Sequence, residues 1–95
     1  MEATIKNLKK LAEIVYKELD RNPLVAFETF KDLVTMMLKL EHKKSVNEIS
    51  TFVFDSGTLI SNTNFKEFST DQKALDSVKK RIVESVAKIL TLKDE

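Results

Sequence analysis

Residues Lys39–Leu75 read KLEHKKSVNEISTFVFDSGTLISNTNFKEFSTDQKAL, and how their middle is read decides the fold. Phe52-Val53-Phe54 and Thr58-Leu59-Ile60 are good strand formers, and Asp55-Ser56-Gly57 between them suits a hairpin turn. Against that stands helical spacing: Val46, Ile49, Val53 and Ile60 recur on one face at about 100° per residue. Ser45-Val46-Asn47-Glu48 also has the form of a capping box, in which serine and glutamate side chains satisfy each other's backbone N–H groups. Cap and spacing together predict a helix over residues 45–61, with Phe52 and Leu59 at the edge of its buried face. Gly57, the only glycine in the chain, costs a helix about 1 kcal/mol relative to alanine. Its place on the inner arc beside Ser56 therefore implies a neighbouring helix in close approach.

The flanking sequence is helical in pattern. Ile5, Leu8, Leu11, Ala12, Val15 and Leu19 fall in one arc opposite Lys6, Lys10, Glu13 and Lys17, which predicts a first helix over about residues 3–20, with Ile14 partly exposed. Asn22 followed by Pro23 marks a restart, asparagine as cap and proline at the first helical position, where its missing N–H costs nothing. The second helix, residues 23–43, has a wide apolar arc of Ala26, Phe27, Phe30, Leu33, Val34, Met37, Leu38 and Leu40, and is expected to be the most buried. Its methionines, Met36 and Met37, and its phenylalanines are read as core filling rather than a ligand stripe. Residues Asn62 to Phe68 read as a loop pinned by Phe65 and Phe68. Ser69 with Gln72 forms a second capping box for a last helix over residues 70–91, burying Leu75, Val78, Ile82, Val86 and Ile89. The expectation is one all-α domain, an antiparallel up-down four-helix bundle spanning residues 1–95.

Composition narrows function by exclusion. Sixteen basic side chains nearly balance fifteen acidic ones, whereas a dedicated nucleic-acid binder usually has a strongly basic domain. With no cysteine there is no disulfide framework or thiolate metal site, and the prior for a chain this small leans to the cytoplasm. The N-terminal sequence lacks the apolar core of a signal peptide, and no run is long enough to span a membrane. His42, the only histidine, has no convergent ligands, since Glu41 beside it points about 100° away on a helix. Ser56 lacks the G-x-S-x-G elbow and a histidine nearby in sequence, and no glycine-rich phosphate loop is present. No catalytic, cofactor or metal residues are assigned, and the chain is not expected to be an enzyme.

Lys39-Leu40-Glu41 closing the second helix, Ser45-Val46 opening the third, the apolar positions Ile49, Val53 and Leu59, then Thr63, Phe68, Ser69 and Leu75 form a pattern. It resembles that of the immunity proteins of pediocin-like (class IIa) bacteriocins, the enterocin A immunity family, over roughly residues 35–90. The resemblance implies a four-helix bundle in the cytoplasm of a Gram-positive bacterium. Such a protein protects the producing cell by binding, from inside, a bacteriocin-engaged mannose phosphotransferase receptor in the membrane, with peripheral contact at the inner membrane surface. No cofactor, small-molecule substrate or nucleic acid is implied. The family's C-terminal half carries specificity, which points to Phe65, Lys66 and Phe68 in the loop and Lys73, Lys80, Arg81 and Lys88 on the last helix. Read blandly, the phenylalanines pin the loop and the basic residues form a solvated face. Two features depart from the family: small residues stand at Ser56 and Gly57 in place of larger ones, and no extended tail follows the last helix before Glu95, which leaves the bacteriocin recognised open. The alternatives are a small helix-turn-helix DNA-binding regulator, with its turn near Phe54, and a helical assembly subunit of a larger complex.

Overall fold

A computed structural model describes residues 2–40, 43–61 and 71–93, with backbone alone at residues 45, 56 and 59–61. The described residues hold four helices and no strand: α1 (Ile5–Glu18), α2 (Pro23–Lys39), α3 (Lys44–Ser61) and α4 (Gln72–Leu90). Residues 44–61 form one uninterrupted helix. That removes both the hairpin over Phe52–Ile60 and the turn near Phe54 that a helix-turn-helix would need. Substantial packing joins α1 to α2, α2 to α3, α3 to α4 and α4 back to α1. The Lys9 ammonium in α1 donates to the Leu92 carbonyl just past α4 (3.0 Å), while Asp20 just past α1 meets Lys79 toward the start of α4 (3.6 Å). Helices α1 and α4 therefore run antiparallel. The molecule measures 41 × 22 × 20 Å.

Several helix ends differ from the sequence reading. Thr4, in extended backbone, caps α1: its hydroxyl oxygen accepts from the Asn7 N–H, and the Asn7 amide reaches back to the Glu2 carbonyl. Asn22 makes no side-chain cap bond, and its ψ of 84° departs from the 158° of Thr4. Backbone bonds hold that turn instead, from the Arg21 and Asn22 N–H groups to the Glu18 carbonyl. Proline does occupy the start of α2 as expected. Helix α2 stops at Lys39, four residues short of the expected end at Lys43, because the Leu40 N–H turns back to the carbonyls of Met37 and Leu38. Ser45 does not stand outside α3 as a cap. The Lys43 carbonyl accepts the first helical bond from the Asn47 N–H, which makes Ser45 the second helical residue. Helix α4 begins at Gln72 rather than residue 70. Its cap is Asp71, whose carboxylate accepts from the N–H groups of Lys73 and Ala74. Gln72 then donates to Asp76 one turn on, and the expected box with Ser69 falls outside the described residues. Glu41, His42, the loop of residues 62–68 and Ser69 lie outside the described residues.

The core follows the apolar arcs. Ile5, Leu8, Ala12, Val15 and Leu19 from the first arc are buried, as are Val78, Ile82, Val86 and Ile89 from the last. Phe30 and Met37 are fully enclosed, so the aromatic and methionine positions of α2 fill the core, as does Met36. Leu38 does not join them; it is 51% exposed. Neighbouring residues on a helix diverge by about 100°, so Met36 and Leu38 stand on opposite flanks of Met37, and Leu38 lies just beyond the positions of Phe27 and Val34 that face the core and α3. Ile14 is exposed as expected, and Ser85, buried among the apolar residues of α4, satisfies its hydroxyl by donating to the Arg81 carbonyl.

Gly57 has ordinary helical backbone, so conformational freedom is not what selects it. A Cβ there would stand 2.7 Å from Val34 Cγ2 and 3.1 Å from Val34 Cγ1. Valine is stiff at χ1 and has no distal atoms to swing aside. The glycine is therefore the place where α3 touches α2, as its inner position implied. Val34 lies five residues before the last residue of α2, and Gly57 lies thirteen after the first of α3. The two helices accordingly do not zip symmetrically from their connection. Gly57→Leu is expected to lower stability by about 1–3 kcal/mol through overpacking. A chemical denaturation midpoint equal to the wild type's would show that the approach is not close.

Candidate partner-binding surface

The basic residues expected to meet a partner fall into two rows on α4. Residues seven apart on a helix differ by only about 20° in direction. Lys73 and Lys80 therefore form one row and Arg81 and Lys88 another, turned about 100° from the first. All four are exposed, with Glu84 and Asp76 also exposed on the same helix. The second row leans toward α3, because the Lys88 ammonium sits 4.3 Å from the centroid of the Phe52 ring. Phe52, placed by its sequence at the edge of the buried face of α3, is half-buried there and offers the ring face to the cation. Lys88 is thus partly committed to holding α3 on α4, while Lys73 and Lys80 stand on the outward crest. Phe65, Lys66 and Phe68 belong to residues outside the described set.

The outward side of α3 carries Asn47, Thr51, Asp55 and Thr58, all exposed, and none is basic. A half-open groove of about 280 Å³ lies between α1 and α2, with Ala3, Leu11 and Met36 as its apolar lining and Asp32, Thr35 and Lys39 from α2 as its polar one. The Thr35 hydroxyl is spent on the Lys31 carbonyl of its own helix. Among the described residues no three histidine, cysteine, aspartate or glutamate side chains gather in a way that could hold a metal ion, and no helix is long and apolar enough to cross a membrane.

Sequence reasoning did not single out Tyr16 and Val83, which are exposed by 62% and 40%. Val83 carried a clear signal, since it lies well off the buried arc of α4, whereas Tyr16 stands only about 20° beyond buried Ile5 at the edge of the arc of α1. The class defined by these features is an all-α protein whose most distinctive surface is a lysine-bearing outer helix. Compared with known protein families, curated proteins and solved structures, the chain matches none.

A cation over a partly exposed ring contributes about 0.5–1 kcal/mol. In a double-mutant cycle of Phe52→Leu and Lys88→Met, the coupling energy is expected in that range. Additive losses would mean that the contact contributes nothing to holding α3 on α4.

Proposed function

We propose that the chain is a bacteriocin immunity protein of the pediocin-like type. It acts by binding rather than turnover, from the cytoplasmic side, on the membrane sugar-transport receptor once bacteriocin has engaged it. One observation supports the reading: the described residues of the family pattern lie at helix ends or in the core. Lys39 is the last residue of α2 and Leu40 its cap, Val46 and Val53 are fully buried on α3, and Leu75 lies half-buried in the first turn of α4.

The up-down bundle belongs to the same proposal. Its support is the antiparallel pairing of α1 with α4, the short turn between α1 and α2, and the cross-section. At 22 × 20 Å this is about two helix diameters in each direction, as expected for four helices standing two by two. Lys73, Lys80, Arg81 and Lys88, together with Phe65, Lys66 and Phe68, are the proposed contact residues. The helix-turn-helix alternative loses its ground, since residues 44–61 are one helix whose outward face lacks a basic side chain beyond Lys44.

The test is expression in a strain sensitive to pediocin-like bacteriocins. At least one bacteriocin of a representative panel is expected to lose potency at least about tenfold, the level that 1.4 kcal/mol of binding discrimination produces. Unchanged potency across the panel, with the folded protein accumulating in the cytoplasm, would overturn the proposal.

A further inference from the structure

The side of α2 turned away from buried Phe30, Leu33 and Met37 carries an ordered row. Leu24, Glu28, Lys31, Thr35 and Leu38 follow one another at intervals of four, three, four and three residues. At that spacing they share an arc of about 80° along most of the helix. The alternation is that of a coiled-coil seam, in which one helix lies along another. Leucines close both ends of the row, 56% and 51% exposed. Between them the Lys31 ammonium stands 3.7 Å from the Glu28 carboxylate. The Thr35 hydroxyl donates to the Lys31 carbonyl, which leaves Glu28 and Lys31 as the charged centre of the row.

The row is complementary to its own reverse. A second copy laid antiparallel along α2, about a twofold axis between Glu28 and Lys31, brings Glu28 of each copy opposite Lys31 of the other. The same register sets Leu24 of each copy level with Thr35 of the other and within one turn of its Leu38. A parallel pairing would instead set Glu28 against Glu28 and Lys31 against Lys31. The charge of the whole helix agrees with self-pairing. In α2, Lys31 and Lys39 cancel Glu28 and Asp32. Helix α1 has a net charge of +2, α4 of +3 and α3 of −1. Faces built on those helices meet like charge in their own copies, whereas α2 meets balance.

We infer that α2 is the contact face of a symmetric homodimer, its two copies antiparallel and centred on reciprocal Glu28–Lys31 pairs. Each residue pair then occurs twice, as a twofold interface requires. Any apolar helix could cover the leucines; a second copy also supplies the opposite charge for each charge. The pair now made within one helix is shared across the interface, so neither ion loses its partner on association. The inference is independent of the immunity proposal, whose contact residues lie on α4 and in the segment before it.

The full chain is sedimented to equilibrium. Two helices in contact make a small interface, and small interfaces bind weakly, so loading concentrations run from about 10 µM to 1 mM. The weight-average mass is expected to rise toward twice the 10.9 kDa of one chain. Leu24→Gln with Leu38→Gln is expected to weaken association at least about tenfold. Leucine and glutamine are similar helix formers, and equal helical circular dichroism checks that the variants fold. The charges test the register. Glu28→Lys alone and Lys31→Glu alone each set like charges across the interface and are expected to weaken association at least about tenfold. An equimolar mixture of these two variants restores opposite charges at both positions and is expected to dimerise within about threefold of the wild type. A pair that acts only inside one helix gives no such recovery. Sedimentation of the wild type as a single chain at about 1 mM would assign the row to another partner and overturn the inference. So would a dimer undisturbed by the leucine variants, or a mixture no tighter than either charge variant alone. None of these readings involves a receptor or a bacteriocin, so their failure is separate from failure of the immunity assay.

Discussion

The contact between Gly57 and Val34 is the constraint on which the placement of α3 depends. The sequence of α3 is a poor helix in isolation: it is rich in β-branched and aromatic residues, has no acidic residue in its first turn and no basic one in its last. Such a segment gains most of its helical stability from packing. Any side chain at position 57 would push the α3 backbone outward from Val34. Val53, one turn earlier and fully buried, would then lose part of its contact with the core. The glycine trades about 1 kcal/mol of local propensity for a contact that keeps the rest of the helix enclosed. Phe52 and Lys88 fasten the other flank of α3 to α4, so the weakest helix former is held from both sides.

How legible this was from the sequence depended on whether the deciding force was local. Apolar spacing is a property of one helix at a time, and Leu8, Ala12, Val15, Ile82 and Ile89 were identified as buried by it alone. Gly57 was legible for a related reason, since a costly residue on a buried arc needs a packing explanation. Caps were less legible. Ser69, Thr70 and Asp71 are consecutive capping types, so residue type alone does not select Asp71, the cap of α4. At α1 the threonine that caps the helix was hidden in a segment already assigned to it.

The flanks of the arcs were not legible either, because a flank is buried or exposed according to where the next helix lies. Leu38 and Met36 sit on opposite sides of Met37 with similar hydrophobicity, and one is exposed while the other is covered. The same reason governs the candidate surface. Lys73, Lys80, Arg81 and Lys88 were identifiable as outward residues of one helix. That Lys88 would turn toward Phe52, and that Tyr16 would stand level with Val83, depends on which helices are neighbours.

Net charge is an average over faces, and here the average misleads. A chain with sixteen basic and fifteen acidic residues reads as electrostatically neutral, yet the packing sets its two most basic helices next to each other. Folding gains nothing from that adjacency, because like charges within a Debye length of about 8–10 Å repel. Two contacts along the seam relieve part of the cost: Lys79 beside Asp20, and Lys9 donating to the Leu92 carbonyl. Both leave a lysine-rich surface in place. The apolar side chains exposed on the seam add a second cost to the free protein, since they too remain in water.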